Sequence, residues 1–154
     1  MEALAVVVGL DGSEGSLAAL AAGARVAAMT GNSVVAVYVV CPQPLPPTAP
    51  LTGAGAFAAA GDEALDRCHL DCELVLAGTD VPWQFEVRRG DPATEMARAA
   101  VEHNAICVAV GRSLRRRFSY GSHSTMSERL SQRCERPVLI VPVKPQRSDP
   151  RPFR

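Results

Sequence analysis

The chain has no excess of charge: 16 Lys and Arg stand against 16 Asp and Glu. A balanced chain has no overall field with which to recruit nucleic acid or an anionic membrane, so any basic function must be local. Long apolar runs are missing too. The run from Leu4 stops at Asp11, and the stretch over residues 51–60 is broken by Gly53 and Gly55. Neither approaches a membrane span, and the N-terminus has no cationic region of a signal peptide. The expectation is a cytoplasmic protein with neither a membrane nor a nucleic-acid partner. The five cysteines (Cys41, Cys68, Cys72, Cys107 and Cys134) are odd in number and show no CxxC spacing. That argues against a disulfide framework and against a zinc ribbon, and leaves them as small apolar fillers.

Enzyme signatures are absent as well. There is no GxxxxGK[ST] loop, no GxGxxG and no GxSxG elbow, and His69, His103 and His123 sit in separate segments. No catalytic set or metal-ligand set assembles. No enzyme activity is expected from them, and no residue offers itself as a catalytic base.

What is present is alternation. Residues 83–87 read as a strand, and 5–9, 33–40, 106–110 and 137–141 are short, almost wholly apolar runs, continuous where a strand open to water would alternate. Such strands are buried on both faces. Between them lie helical patterns: one opened by Ser13 and stopped by Gly31-Asn32, one over about 57–76, one from Asp91-Pro92 to about His103, and one over about 125–134. Five prolines between Cys41 and Pro50 make that segment an extended loop. Strands alternating with helices give an α/β fold with an open five-stranded parallel sheet covered on both faces. One domain over 1–143 and a mobile tail over 144–154 account for all 154 residues. Because crossovers are right-handed, the ligand crevice of such a sheet lies at the carboxyl ends of strands one and four. Two segments meet there, Leu10-Asp11-Gly12-Ser13 and the loop from Gly111 to Thr125. The second ends at a helix start, whose unpaired N–H groups favour an anion.

These residues resemble the universal stress protein family over nearly the whole chain. The resemblance is carried by Val6-Val7-Val8-Gly9-Leu10-Asp11-Gly12-Ser13-Glu14, by Gly90-Asp91-Pro92-Ala93 and by the last strand, Pro137 to Pro142. It implies the Rossmann-like strand order 3-2-1-4-5 and a homodimer paired through the last strands. One branch of the family binds ATP with Mg²⁺ and carries Gly, two residues, Gly, nine residues, Gly, then Ser or Thr. Laid on this chain from Gly111, that pattern falls on Leu114, Ser124 and Thr125. The first glycine and the final hydroxyl match, and the inner glycines do not.

The resemblance places Leu10 and Asp11 at the adenosine end of a nucleotide, Val39 as a wall for the base, and Gly111, Arg112, Leu114, Ser124 and Thr125 at the phosphates. Leu114 sets a branched side chain where phosphate would approach bare backbone. Ser124 is a milder change. Arg112, Arg115, Arg116 and Arg117 offer guanidinium forks in compensation, or are simply a solvated loop. Asp11 has a second reading, as support for its turn and the helix after it.

Two functions follow. One is a stress-response sensor that binds ATP or another adenine nucleotide; the other is a dimeric interaction module without a nucleotide, serving an unnamed protein partner. A phospho-receiver domain shares the layout, but the acidic pair it needs after strand one is missing and Asp91 sits at a helix start.

Overall fold

The computed structural model describes residues 3–42, 53–112 and 125–143. The prolines from Pro44 to Pro50, the loop holding Leu114, Arg115 to Arg117, His123 and Ser124, and the tail from Lys144 lie outside these residues. In chain order the elements are β1 (Ala5–Leu10), α1 (Glu14–Thr30), β2 (Ser33–Val40), α2 (Gly53–Leu76), β3 (Trp83–Arg89), α3 (Pro92–Glu102), β4 (Ala105–Gly111), α4 (Met126–Arg133) and β5 (Val138–Val141). The strands form one parallel sheet in the order β3-β2-β1-β4-β5, as expected.

Successive strand residues point to opposite faces, and both faces of the central strands are dry. Val6, Val8 and Val34 pack with Leu20 of α1 and with Cys68, Cys72 and Leu76 of α2. Val7, Val35, Val37 and Val108 pack on the other side with Met96 of α3 and Leu130 of α4. Small residues let α1 lie close on the sheet: a Cβ at Gly23 would fall 2.6 Å from Val8 Cγ2.

Local signals set the helix ends. Ser13 accepts from Ser16 N at the start of α1, and Gly31, at φ 68°, closes it. Asp91 accepts from Thr94 N at the start of α3, with Pro92 in the first turn. Two boundaries differ from expectation by more than one residue. α2 begins at Gly53 instead of near residue 57, since a glycine among alanines costs only about 1 kcal/mol against a long helix. β3 continues past Val87 to Arg89, because Arg88 turns inward to carboxylates and does not end the strand.

The two edges of the sheet are built differently. On β3 the Arg88 side chain is only 10% exposed and is ringed by Glu86 at 2.7 Å, Glu95 at 3.6 Å and Glu102. His103 Nε2 lies 2.6 Å from Glu86 Oε2 in the same group. On the other face of β3, His69 of α2 meets Phe85 edge-on at 5.1 Å. β5 carries no charge, and its Leu139 and Ile140 are 37% and 46% exposed.

Candidate functional site

The β1–α1 turn is fixed by its own side chains. Asp11 Oδ1 accepts from the Ser13 N–H at 2.9 Å and from the Ser13 hydroxyl, and Ser13 Oγ in turn accepts from Ser16 N at 3.2 Å. Ser13 is therefore the helix cap, and Asp11 holds the cap in place from an exposed position. Gly12 takes φ 81° between them, a conformation that costs glycine little.

The end of β4 meets this turn through bare backbone. A Cβ at Gly111 would lie 2.3 Å from the carbonyl carbon and oxygen of Gly15, and one at Gly15 would lie 3.5 Å from the Arg112 carbonyl oxygen. Glycine at 111 is thus required by the first turn of α1, whatever a ligand requires. The contact joins the two segments that the topology aims at one crevice. Arg112 continues the β4–β5 pairing, its N–H donating to Val141 O at 2.8 Å, while its side chain is exposed.

Thr125 opens α4 with a reciprocal cap. Its hydroxyl accepts from Glu128 N at 3.3 Å, and its N–H donates to Glu128 Oε2 at 2.9 Å. The donors of the first turn that this cap does not use are the N–H groups of Met126 and Ser127. The sequence signal for the pair is Thr-x-x-Glu, which the reading above passed over.

The other expected residues fall as follows. β1 and β2 are paired up to Leu10↔Tyr38, so the next residues along, Asp11 and Val39, come level at the carboxyl edge. Val39 is half-buried against the α3–α4 core, where Met126 packs too. Leu10 is 7% exposed and belongs to the α1–α2 core, so its side chain faces away from that layer. Leu114 and Ser124 lie outside the described residues.

Two groups of residues lie beside the crevice. Beneath the β1–α1 turn, burial first, then Asp71 and Asp11, push the Cys68 thiol up to about 11, against a hydrogen bond from the Gly12 backbone. Burial and the adjacent Cys68 push Cys72 to about 12. Both stay protonated and unreactive near neutral pH. Burial, Cys68 and Asp11 also raise Tyr38. Beside α4, Asp91 receives Arg129 at Oδ1 and Arg133 Nη1 at Oδ2, the latter at 2.7 Å. Burial alone would raise its pKa, but hydrogen bonds from Arg129 and Thr94 outweigh that and hold it at about 2.

Among the described residues no group of three or more His, Cys, Asp or Glu is placed to hold a metal ion. Nor is any helix there long and apolar enough to cross a membrane. A cavity of about 570 Å³ lies at the opposite, amino edge of the sheet, lined by Ser33, Trp83 and His103 among others. It shares no residue with the crevice.

A parallel sheet wound both ways from β1, with two loops meeting where the strand order reverses, defines the open α/β class whose ligands bind at the carboxyl edge. Within that class the chain belongs to the universal stress protein family, whose model matches residues 4–142. Among solved structures it is similar to a family protein from Burkholderia pseudomallei, at 28% identity and TM-score 0.63, over 90% of this chain and 96% of that one. A universal stress protein in complex with cAMP is 21% identical, with TM-score 0.60 over 94% of this chain and all of that one (100%). A family protein from Arabidopsis thaliana with AMP bound is 16% identical, with TM-score 0.58 over 96% and 98%. No curated protein gives a significant match.

Proposed function

We propose that this universal stress protein is a cytoplasmic stress-response sensor that binds an adenine nucleotide at the carboxyl edge of its sheet. The observation that carries the reading is the Gly15–Gly111 contact, which brings the turn holding Asp11 against the carboxyl end of β4, the two segments the topology aims at one crevice. In this arrangement Asp11 receives the ribose hydroxyls and Val39 walls the base. The Met126 and Ser127 N–H groups, with Arg112 and Thr125 beside them, face the phosphate. Complexes of two similarly folded proteins with cAMP and AMP support the ligand class. ATP, with its Mg²⁺, is proposed on the same terms; Leu114 and Ser124 of the notional phosphate loop lie outside the described residues.

Isothermal titration with AMP, cAMP and Mg-ATP tests this. Saturable heat is expected, with Asp11→Ala weakening AMP about tenfold, the equivalent of one polar contact of 1.4 kcal/mol. Titrations that stay heat-silent for every adenine nucleotide would reject the reading.

The exposed apolar edge at β5 supports a second element of the proposal, a homodimer paired through residues 137–141. A dimer without a nucleotide remains the competing function, and the same titration separates the two.

A further inference from the structure

α4 is a weakly anchored helix. It has eight residues, and only Ser127 and Leu130 are buried within it. A helix so short does not hold itself in water and depends on tertiary contacts for its position. Its strongest polar tether is the start of α3. Arg129, one turn from the cap through its N–H bond to Thr125 O at 3.0 Å, donates from its guanidinium to Asp91 Oδ1. Arg133, a further turn along, places Nη1 2.7 Å from Asp91 Oδ2 and 2.5 Å from Thr94 Oγ1. Asp91 itself is fixed, because Oδ2 accepts Thr94 N at 3.0 Å and Thr94 Oγ1 at 2.8 Å. One carboxylate thus caps α3 and grips two successive turns of α4.

Resting on the nucleotide reading above, we infer that Asp91, Arg129 and Arg133 are positioning residues that set where the first turn of α4 presents the Met126 and Ser127 N–H groups to a ligand phosphate. None of the three has to touch the ligand. Releasing the clamp leaves Asp11 on its own turn and Val39 in β2, although Val39 shares a core with Met126, so the larger effect falls on the helix start, which drifts from the phosphate. Hydrogen bonds to a displaced anion weaken steeply with angle and distance. The signature is therefore a split between ligands that differ only by the phosphate group.

The variants are Asp91→Asn, Arg129→Met and Arg129→Lys in the full chain, titrated with AMP and with adenosine, with thermal melts as the check on folding. Asparagine keeps an acceptor for the α3 cap while removing the charge that holds the arginines. Asp91→Asn and Arg129→Met are expected to bind AMP about tenfold more weakly than wild type while adenosine changes by less than about twofold, and Arg129→Lys recovers part of the loss. Equal losses for both ligands would mean that the clamp serves only the fold, and unchanged AMP binding would mean that α4 is placed by Leu130 alone. Either overturns the inference. If wild type binds adenosine but not AMP, the phosphate subsite fails and the inference with it. Wild type that binds neither overturns the nucleotide reading itself, a result recognisable before any variant is made.

Discussion

At the scale of single residues, Gly111 shows how one position answers to two constraints. Its place in a nucleotide motif suggests bare backbone for phosphate, whereas the structure gives a prior reason: the first turn of α1 fills the space a Cβ would need, 2.3 Å from Gly15. The obstacle is backbone, which cannot rotate away. Gly111→Ala is therefore expected to destabilise the fold by about 3 kcal/mol in chemical denaturation, whether or not ligand is present. Gly15→Ala, whose Cβ would meet the Arg112 carbonyl oxygen at 3.5 Å, should cost under about 1 kcal/mol. If Gly111→Ala unfolds no more readily than wild type yet loses ligand, the glycine serves the ligand first. Asp11 is similarly double. Sequence left open whether it supports its turn or meets a ligand; the structure gives it Ser13 to hold and leaves it exposed, so the Asp11→Ala titration must be read beside a melt.

At the scale of elements, the helices were legible wherever a capping residue announced them. Ser13, Asp91-Pro92 and Thr125 are local signals, and local signals survive in a sequence. The α3–α4 clamp was not legible. Asp91 lies 38 residues from Arg129 and 42 from Arg133, and nothing short of the packed fold says that these charges meet. Arg129 and Arg133 do recur at helical spacing, but that pattern marks a face and not a partner. The clamp also has an acid signature. The folded Asp91 is held at about 2, down from its ordinary 3.8. Its contribution to stability is thus fully present above pH 3.8 and lost as pH falls through about 2. The side chain is 36% exposed, so screening keeps that contribution to at most about 1 kcal/mol. Denaturation followed from pH 5 to pH 2 should show a shallower fall for Asp91→Asn than for wild type; parallel curves would assign the acid limb to other carboxylates.

At the scale of the whole molecule, order and pairing of the strands followed from apolar runs, right-handed crossovers and the family resemblance. The character of the edges followed only in part. The expected order already put the run at 137–141 at one end of the sheet, where β5 has β4 alone as a neighbour among the described residues, although its composition alone is that of a buried strand. Nothing in the sequence marks Glu86 and Arg88 as inward-facing either, and only the fold packs them against Glu95, Glu102 and His103. Inward charge discourages a strand from accepting another chain, whereas an exposed apolar edge invites one. Ile140→Lys is accordingly expected to shift the protein to monomer in sedimentation velocity while leaving its melting temperature within a few degrees, about the effect of a surface substitution. A dimer that survives the change would place the interface elsewhere.

The difference between the edges carries a numerical consequence. A sheet able to join at both sides has no reason to stop growing, and successive copies would extend it into a filament. A sheet that joins at one side only, to an identical partner turned about a two-fold axis, uses up its valence in a single event. In the dimer proposed through β5, the ring of carboxylates around Arg88 is a chain terminator, and the number of copies would be written as much in the edge that refuses a neighbour as in the one that accepts it.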